Sequence, residues 1–259
     1  MQWTTRRGDC YTGVVMTLQG RVALVTGGAV RIGRAIALAL AARGADVVIS
    51  YRTSRRDADA TVSDLRALGR RAEAIRADVS NDADVRRLIQ RIQRRYRRLD
   101  VLVNNAAIFE RTPFSALTLP QWNRHLAANL TGPFLCALHA GRLMQRRGEG
   151  KIINIADWAG ERPYRNYLPY CVSKAGILGL TKALAAELAP SIQVVAVSPG
   201  PMLPPPGMAP AARARVVRSV PLRRWGAPED IANAVVFAVE GTDFMTGTAI
   251  TVDGGRWLG

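Results

Sequence analysis

The sequence predicts an α/β protein built on one doubly wound parallel sheet of about seven strands, with helices on both faces. Three observations predict it. Short β-branched runs alternate with longer helical patterns along the chain. No composition shift marks a linker, and no segment repeats. The length, 259 residues, is one at which a single α/β domain with one large core is normal.

The strand candidates, in order, are Val22–Val25, Asp46–Ser50, Glu73–Arg76, Val101–Asn104, Lys151–Ala156, Gln193–Ser198 and Ala249–Val252. Helical periodicity fills the gaps, as in Ile32–Ala42, Thr61–Leu68 and Asp84–Tyr96. Strands joined through helices imply parallel pairing. The proline-rich stretch Pro199–Pro210 falls between a strand and a helix and reads as an ordered loop, not a boundary. Residues 1–17 carry Arg6 and Arg7 but no compact apolar stretch with a cleavage site, so they read as a flexible extension rather than a secretory signal. Residues 18–259 then form a single domain.

Composition narrows the function. No run approaches the ~20 apolar residues of a membrane span. Cys10, Cys136 and Cys171 have no metal-ligand spacing and read as free thiols of a reducing cytoplasm. His125 and His139 have no clustered partners, and no metal site is expected. The net charge of +16 raises the question of nucleic acid. Against it, Lys151, Lys174 and Lys182 are the only lysines, and the arginines are spread over many helices. That pattern is a compositional bias, and no specific nucleic-acid partner is expected. The charge would instead steer an anionic ligand.

The first strand runs into Thr26-Gly27-Gly28-Ala29-Val30-Arg31-Ile32-Gly33 and then an Ala/Leu-rich helix. Glycines there let backbone approach a phosphate, and the helix N-terminus offers free N–H donors. The same glycines would also serve a tight turn without ligand, but the strand–turn–helix context favours a dinucleotide. An acidic residue closing the second strand would bind the ribose 2′-hydroxyl of NAD. Here the chain reads Ser50-Tyr51-Arg52-Thr53-Ser54. Arg52, with Thr53 or Ser54, suits the extra phosphate of NADPH, while Ser54 is also a candidate helix cap. Tyr170 and Lys174 lie four apart on a predicted helix, so both project from one face. An ammonium beside a phenol would lower its pKa and make it a useful acid or base.

These motifs resemble the short-chain dehydrogenase/reductase family over Leu18 to about Gly255, and within it they are most similar to pteridine reductases. The resemblance implies a Rossmann-type fold and a homotetramer. It implies cofactor contacts from Asp78-Val79, from Asn105-Ala106 after Asn104, and from the Pro199-Gly200 turn. It further implies that Lys174 reaches the nicotinamide ribose and that Asn129 supports a proton relay. Two departures from most of the family matter. Arg31 replaces the middle glycine of the first turn, where it would span cofactor phosphate and substrate. Asp157 stands thirteen residues before Tyr170, at or beside the usual serine. An ionised carboxylate would repel the alkoxide formed from a ketone; it suits a ring with N–H donors, or caps a helix or pairs with an arginine. Phe109 lies where pteridine reductases stack an aromatic on the pterin, unless it is simply a core side chain.

The expected activity is therefore NADPH-dependent reduction of a dihydropterin, dihydrofolate or quinonoid pterin. Asp157, Tyr170, Lys174 and Asn129 would be catalytic, and Arg31, Phe109, Trp158, Asp157 and Tyr170 would contact substrate. A carbonyl reductase of 3-oxoacyl thioesters or sugars is the alternative enzyme. A non-catalytic NADPH sensor or nucleic-acid-binding regulator is the alternative of another class, and the retention of Tyr170, Lys174 and Asn129 together weighs against it.

Overall fold

The computed structural model describes residues 15–204 and 207–258. Its strands are β1 (Val22–Val25), β2 (Asp46–Tyr51), β3 (Ala72–Arg76), β4 (Val101–Asn104), β5 (Gly150–Ile155), β6 (Ile192–Pro199) and β7 (Ala249–Val252). All neighbours pair in parallel, in the order β3-β2-β1-β4-β5-β6-β7. This is the doubly wound sheet expected. Between them run α1 (Arg31–Ala42), α2 (Arg55–Ala67), α3 (Asp82–Tyr96), α4 (Leu119–Leu126), α5 (Gly132–Gln145), α6 (Leu168–Leu188), α7 (Pro210–Arg218) and α8 (Pro228–Glu240).

Strand alternation sorts the core into two layers. Ala23 and Val25 of β1 pack with Ile36 and Leu40 of α1 and with Ile231 and Val235 of α8. Val22 and Leu24 pack with Leu88 and Ile92 of α3 and Ala140 and Met144 of α5. Every residue of β1 and β4 is buried, as strands covered on both faces must be. Each such aliphatic side chain contributes roughly 1.5–3 kcal/mol of transfer free energy.

Where the structure departs from expectation, polar residues are the cause. α2 begins at Arg55 rather than Thr61, because Arg55, Arg56 and Asp57 form an exposed first turn that carries no apolar period. α3 begins at Asp82, with the Asn81 side chain accepting from the Asp84 amide at 3.1 Å. The extension expected over residues 1–17 lies outside the described residues up to position 14, as does Cys10. Its end is not free. Met16 is buried, and its amide donates to Asp243 Oδ2 at 3.1 Å, so the packed body reaches back past Leu18. Cys136 and Cys171 are buried free thiols.

Strand order reverses between β1 and β4, and a doubly wound sheet opens its ligand crevice beyond the strand carboxyl ends at that point.

Candidate active site

The turn after β1 forms the floor of that crevice. Gly27 has φ +62°, a left-handed backbone conformation that glycine adopts without cost. A Cβ on Gly33 would collide with the Gly27 carbonyl and the Asn105 amide, so only glycine fits where the helix starts. Asn105 braces the turn: its side-chain amide donates to the Thr26 carbonyl at 2.9 Å and the Gly27 carbonyl at 3.1 Å. The backbone amides of Asn105 and Ala106 both donate to the Thr26 hydroxyl. Arg31, at the glycine-replacing position, keeps a glycine-like φ of +52°, a conformation that costs a side-chain-bearing residue roughly 1–2 kcal/mol.

A cleft of about 420 Å³ rises from this floor, lined by Gly27, Arg31, Ile32 and Gly33, then by Tyr51, Arg52 and Thr53, by Asp78 and Val79, and by Asn105 and Ala106. The residues suit a dinucleotide. The N-terminus of α1 and Arg31 border the cleft, and Arg52 stands just after β2 in place of an acid. Arg52 lies 3.8 Å from Asp78. Burial opposes the Asp78 charge, but the Ser80 hydroxyl and amide and the Arg52 guanidinium outweigh it and hold the carboxyl below its ordinary value. Ser54 occupies the N-cap of α2 without a side-chain capping bond and does not line the cleft.

A second cleft of about 630 Å³ adjoins the first, and Phe109 belongs to both walls. Asp157, Trp158, Tyr170 and Gly200 line it, as sequence suggested, and so do Pro201, Met202 and Leu203 of the loop after β6; Tyr164, Tyr167, Trp225 and Arg256 line it unannounced. Pro199 closes β6 in register with Val252 and sets Gly200 at the cleft. Arg31 is not part of this wall, but its guanidinium donates to the carbonyl of Leu203, which is. Phe109 stacks on Tyr167 at 4.5 Å and meets Tyr170 edge-on at 4.7 Å. Its position in the cleft, half exposed at 49%, removes the reading of a core phenylalanine.

Asp157 follows β5 and opens the short turn Trp158–Gly160, accepting from the Ala159 amide at 2.8 Å. The Tyr170 hydroxyl donates to its other oxygen at 2.5 Å, and Tyr164 donates at 3.2 Å. Asp157 therefore caps the turn and holds the phenol at once; it pairs with no arginine among the described residues. Burial pushes its carboxyl above the ordinary value, against the pull of Tyr170, the Ala159 amide, Lys174 and Tyr164.

Lys174 corrects one expectation. It is buried, its ammonium donates to the Ile155 carbonyl at 2.7 Å, and it lies 5.8 Å from the centre of the Tyr170 ring. Burial lowers its pKa to about 8, with Asp157 opposing. Tyr170 does not have the lowered pKa that an adjacent ammonium was expected to confer. Burial and then Asp157 drive it well above 10, so the phenol is held neutral. A neutral phenol is a proton donor, the form that reduction requires.

Asn129 sits in a widened, π-helical turn (Ala127–Thr131) between α4 and α5, a feature frequent at functional sites. Its amide exchanges hydrogen bonds with the Ile108 backbone and donates to Ser173 Oγ at 3.1 Å, and Ser173 donates to the Tyr170 carbonyl. Asn129 thus connects to the helix bearing Tyr170 and Lys174, not to the Tyr170 hydroxyl. Among the described residues no group of three or more His, Cys, Asp or Glu is placed to hold a metal ion, and no helix is long and apolar enough to cross a membrane.

The family described as enoyl-(acyl carrier protein) reductase matches residues 28–256. The 3-oxoacyl-[acyl-carrier-protein] reductase of Synechocystis sp. is 40% identical over 244 residues, 92% of this chain and 97% of that protein. This chain is a short-chain dehydrogenase/reductase. A mutant short-chain dehydrogenase/reductase of Serratia marcescens superposes with a TM-score of 0.87 at 34% identity, over 93% of this chain and all of that one. A 7α-hydroxysteroid dehydrogenase in complex with NADH and a 7-oxo bile acid superposes with a TM-score of 0.88 at 30% identity, over 92% and 95% of the two chains. Membership makes the chain an oxidoreductase of this type.

Proposed function

We propose that this short-chain reductase uses NADPH to reduce a dihydropterin or a closely related dihydrofolate or quinonoid pterin. One observation carries the reading: the group bound to the Tyr170 hydroxyl is the half-buried carboxylate of Asp157, not a neutral hydroxyl. A carboxylate accepts from ring N–H or amino groups and opposes a developing alkoxide. The aromatic walls around it, Phe109, Tyr164, Tyr167 and Trp158, suit a flat heteroaromatic ring.

NADPH, when bound, supplies the hydride. Arg52 and Thr53 would hold its 2′-phosphate, and the turn Gly27–Gly33 with Arg31 its pyrophosphate. Asp78-Val79 and Asn105-Ala106 would flank the adenosine and the ribose. Lys174 would bond the nicotinamide ribose, and Pro199-Gly200 would line the nicotinamide. Tyr170 would pass its hydroxyl proton to the substrate ring nitrogen as the adjacent carbon is reduced. Asp157 would hold the Tyr170 hydroxyl on that path through its hydrogen bond, and a proton from solvent would restore the phenol. Asn129 would support the relay only indirectly, by bracing through Ser173 the helix that carries Tyr170. Residues 18–259 would form the catalytic domain, and the exposed apolar side chains Phe134, Leu168 and Val172 on α5 and α6 would serve a homotetramer.

Reduction of a 3-oxoacyl thioester is the second reading. The name of the Synechocystis relative supports it better than it supports pterin reduction. Side-by-side turnover with NADPH decides between them. Dihydrobiopterin or dihydromonapterin reduction faster than acetoacetyl-thioester reduction upholds the first; thioester turnover with no activity on any pterin replaces it with the second.

A further inference from the structure

Asp157 receives a second phenol, and no step above uses it. The Tyr164 hydroxyl donates to Asp157 Oδ1 at 3.2 Å, while the Tyr170 hydroxyl donates to Oδ2 at 2.5 Å. Oδ1 also accepts the Ala159 amide at 2.8 Å. A carboxylate with both oxygens engaged cannot rotate about its terminal bond without losing a partner.

The Tyr164 ring is itself held. It meets Trp158 at 5.5 Å, Tyr167 edge-on at 5.6 Å and Phe109 edge-on at 6.3 Å. Its hydroxyl is therefore aimed by packing rather than by chain flexibility. Burial, then the charge of Asp157, push this phenol far above its ordinary range, so it stays a donor wherever the enzyme works.

We propose that Tyr164 is a positioning residue: its hydroxyl clamps the Asp157 carboxylate so that Oδ2 stays on the Tyr170 hydroxyl. The clamp rests on the reading of Asp157 and Tyr170 as the reacting pair. It accounts for a polar group at the centre of an aromatic wall, where a phenylalanine would make the same ring contacts. The other groups facing Asp157 are Tyr170, Cys171 and Lys174 from α6, with Arg162 and Arg256 lining the same cleft. None of these changes in a Tyr164→Phe variant, which keeps the ring and removes only the oxygen.

The test is the pH titration of the Asp157 carboxyl by ¹³C NMR in the full-length chain, its resonance identified by its loss in Asp157→Asn. Removing one donor to the ionised form raises the midpoint by about half a unit to one unit in Tyr164→Phe. An unchanged or lowered midpoint overturns the clamp, since ring packing alone would leave the carboxyl as it was. The titration needs no substrate, so its failure is distinct from a failure to turn over pterin. With the preferred substrate, kcat in Tyr164→Phe falls roughly three- to tenfold, as loss of one hydrogen bond allows, while KM for NADPH holds. An equal fall in NADPH binding would instead mark a general structural role.

Discussion

At the residue scale the site is governed by one half-buried carboxyl. A carboxyl whose folded-state pKa lies above its unfolded one binds more protons when folded, so the stability it contributes falls as pH rises through the folded value. Asp157 is such a group, its carboxyl raised chiefly by burial. Asp157→Asn removes the charge; its carbonyl oxygen can keep the Ala159 amide and Tyr164, with its NH2 then donating to the Tyr170 hydroxyl. We expect its Tm to exceed that of the parent by about 2–4 °C near about pH 8, the shift that roughly 1 kcal/mol produces in a chain of this length. The gain should shrink toward about pH 4, as the parent's raised carboxyl takes up its proton. Differential scanning calorimetry at the two pH values checks this, and a gain that grows on acidification would contradict it. The same variant should lose reductase activity, a common exchange between stability and function at strained sites.

Under the proposed function, Arg52 is the residue expected to separate the two nicotinamide cofactors. It follows β2, where an acid would otherwise receive the ribose hydroxyls, and it is exposed and pairs at 3.8 Å with Asp78. Arg52→Ala should weaken NADPH binding roughly ten- to hundredfold, the worth of a charge-assisted hydrogen bond, and leave NADH binding nearly unchanged. Isothermal titration with each cofactor measures the ratio; equal losses for both would remove Arg52 from the 2′-phosphate.

At the scale of elements, the β1 turn and β4 work as one unit. Asn105, beyond β4, ties down the Thr26 and Gly27 carbonyls, and the start of α1 passes so close that Gly33 has no room for a methyl group. Gly33→Ala should displace the turn and destabilise the fold by roughly 1–3 kcal/mol, the usual cost of overpacking. NADPH affinity should drop at least tenfold, because the free N–H groups of α1 would no longer converge. Chemical denaturation together with NADPH fluorescence titration tests both; unaltered affinity would show that the turn does not hold the pyrophosphate. The element α6 carries a similar double duty. Its first turns deliver Tyr170, Ser173 and Lys174 to the site, and its far end buries Ala185 and Leu188 against the sheet.

For the whole molecule, the sheet's last strand and the outer helical faces are less covered than its centre. β7 is an edge with exposed alternate residues, and Phe134 on α5 and Val172 on α6 are each 42% exposed. Exposed apolar faces of this kind mark assembly. Sedimentation of the parent chain should give a tetramer, and Val172→Glu should reduce the mass by at least half by placing a charge in an apolar contact. A parent chain that sediments as a monomer would rule the assembly out.

Much of this was determined by the sequence alone, because it depends on local pattern. Alternating β-branched runs and helical periods specify a parallel sheet, and the bounds of β1, β4 and β7 are legible to the residue. The spacing of Gly27, Arg31 and Gly33 marks the glycine turn that borders the first cleft, and Tyr170 and Lys174, four positions apart, fall on one face of α6. Polar beginnings such as Arg55–Asp57 of α2 were not legible, since no apolar period announces them. The direction of the Tyr170 shift was also hidden. An ammonium four residues away predicts a lowered pKa, but Lys174 spends its proton on the Ile155 carbonyl, and burial beside Asp157 decides the outcome. Tyr164 and Tyr167 precede Tyr170 at intervals of three, a pattern that could have flagged them, yet they lie ahead of α6 and outside its period. Only the packing of that segment against Asp157 and Phe109 makes them part of the site, because burial and distance are properties of the folded chain. The sequence determined which groups are present; tertiary structure decided which of them share a proton.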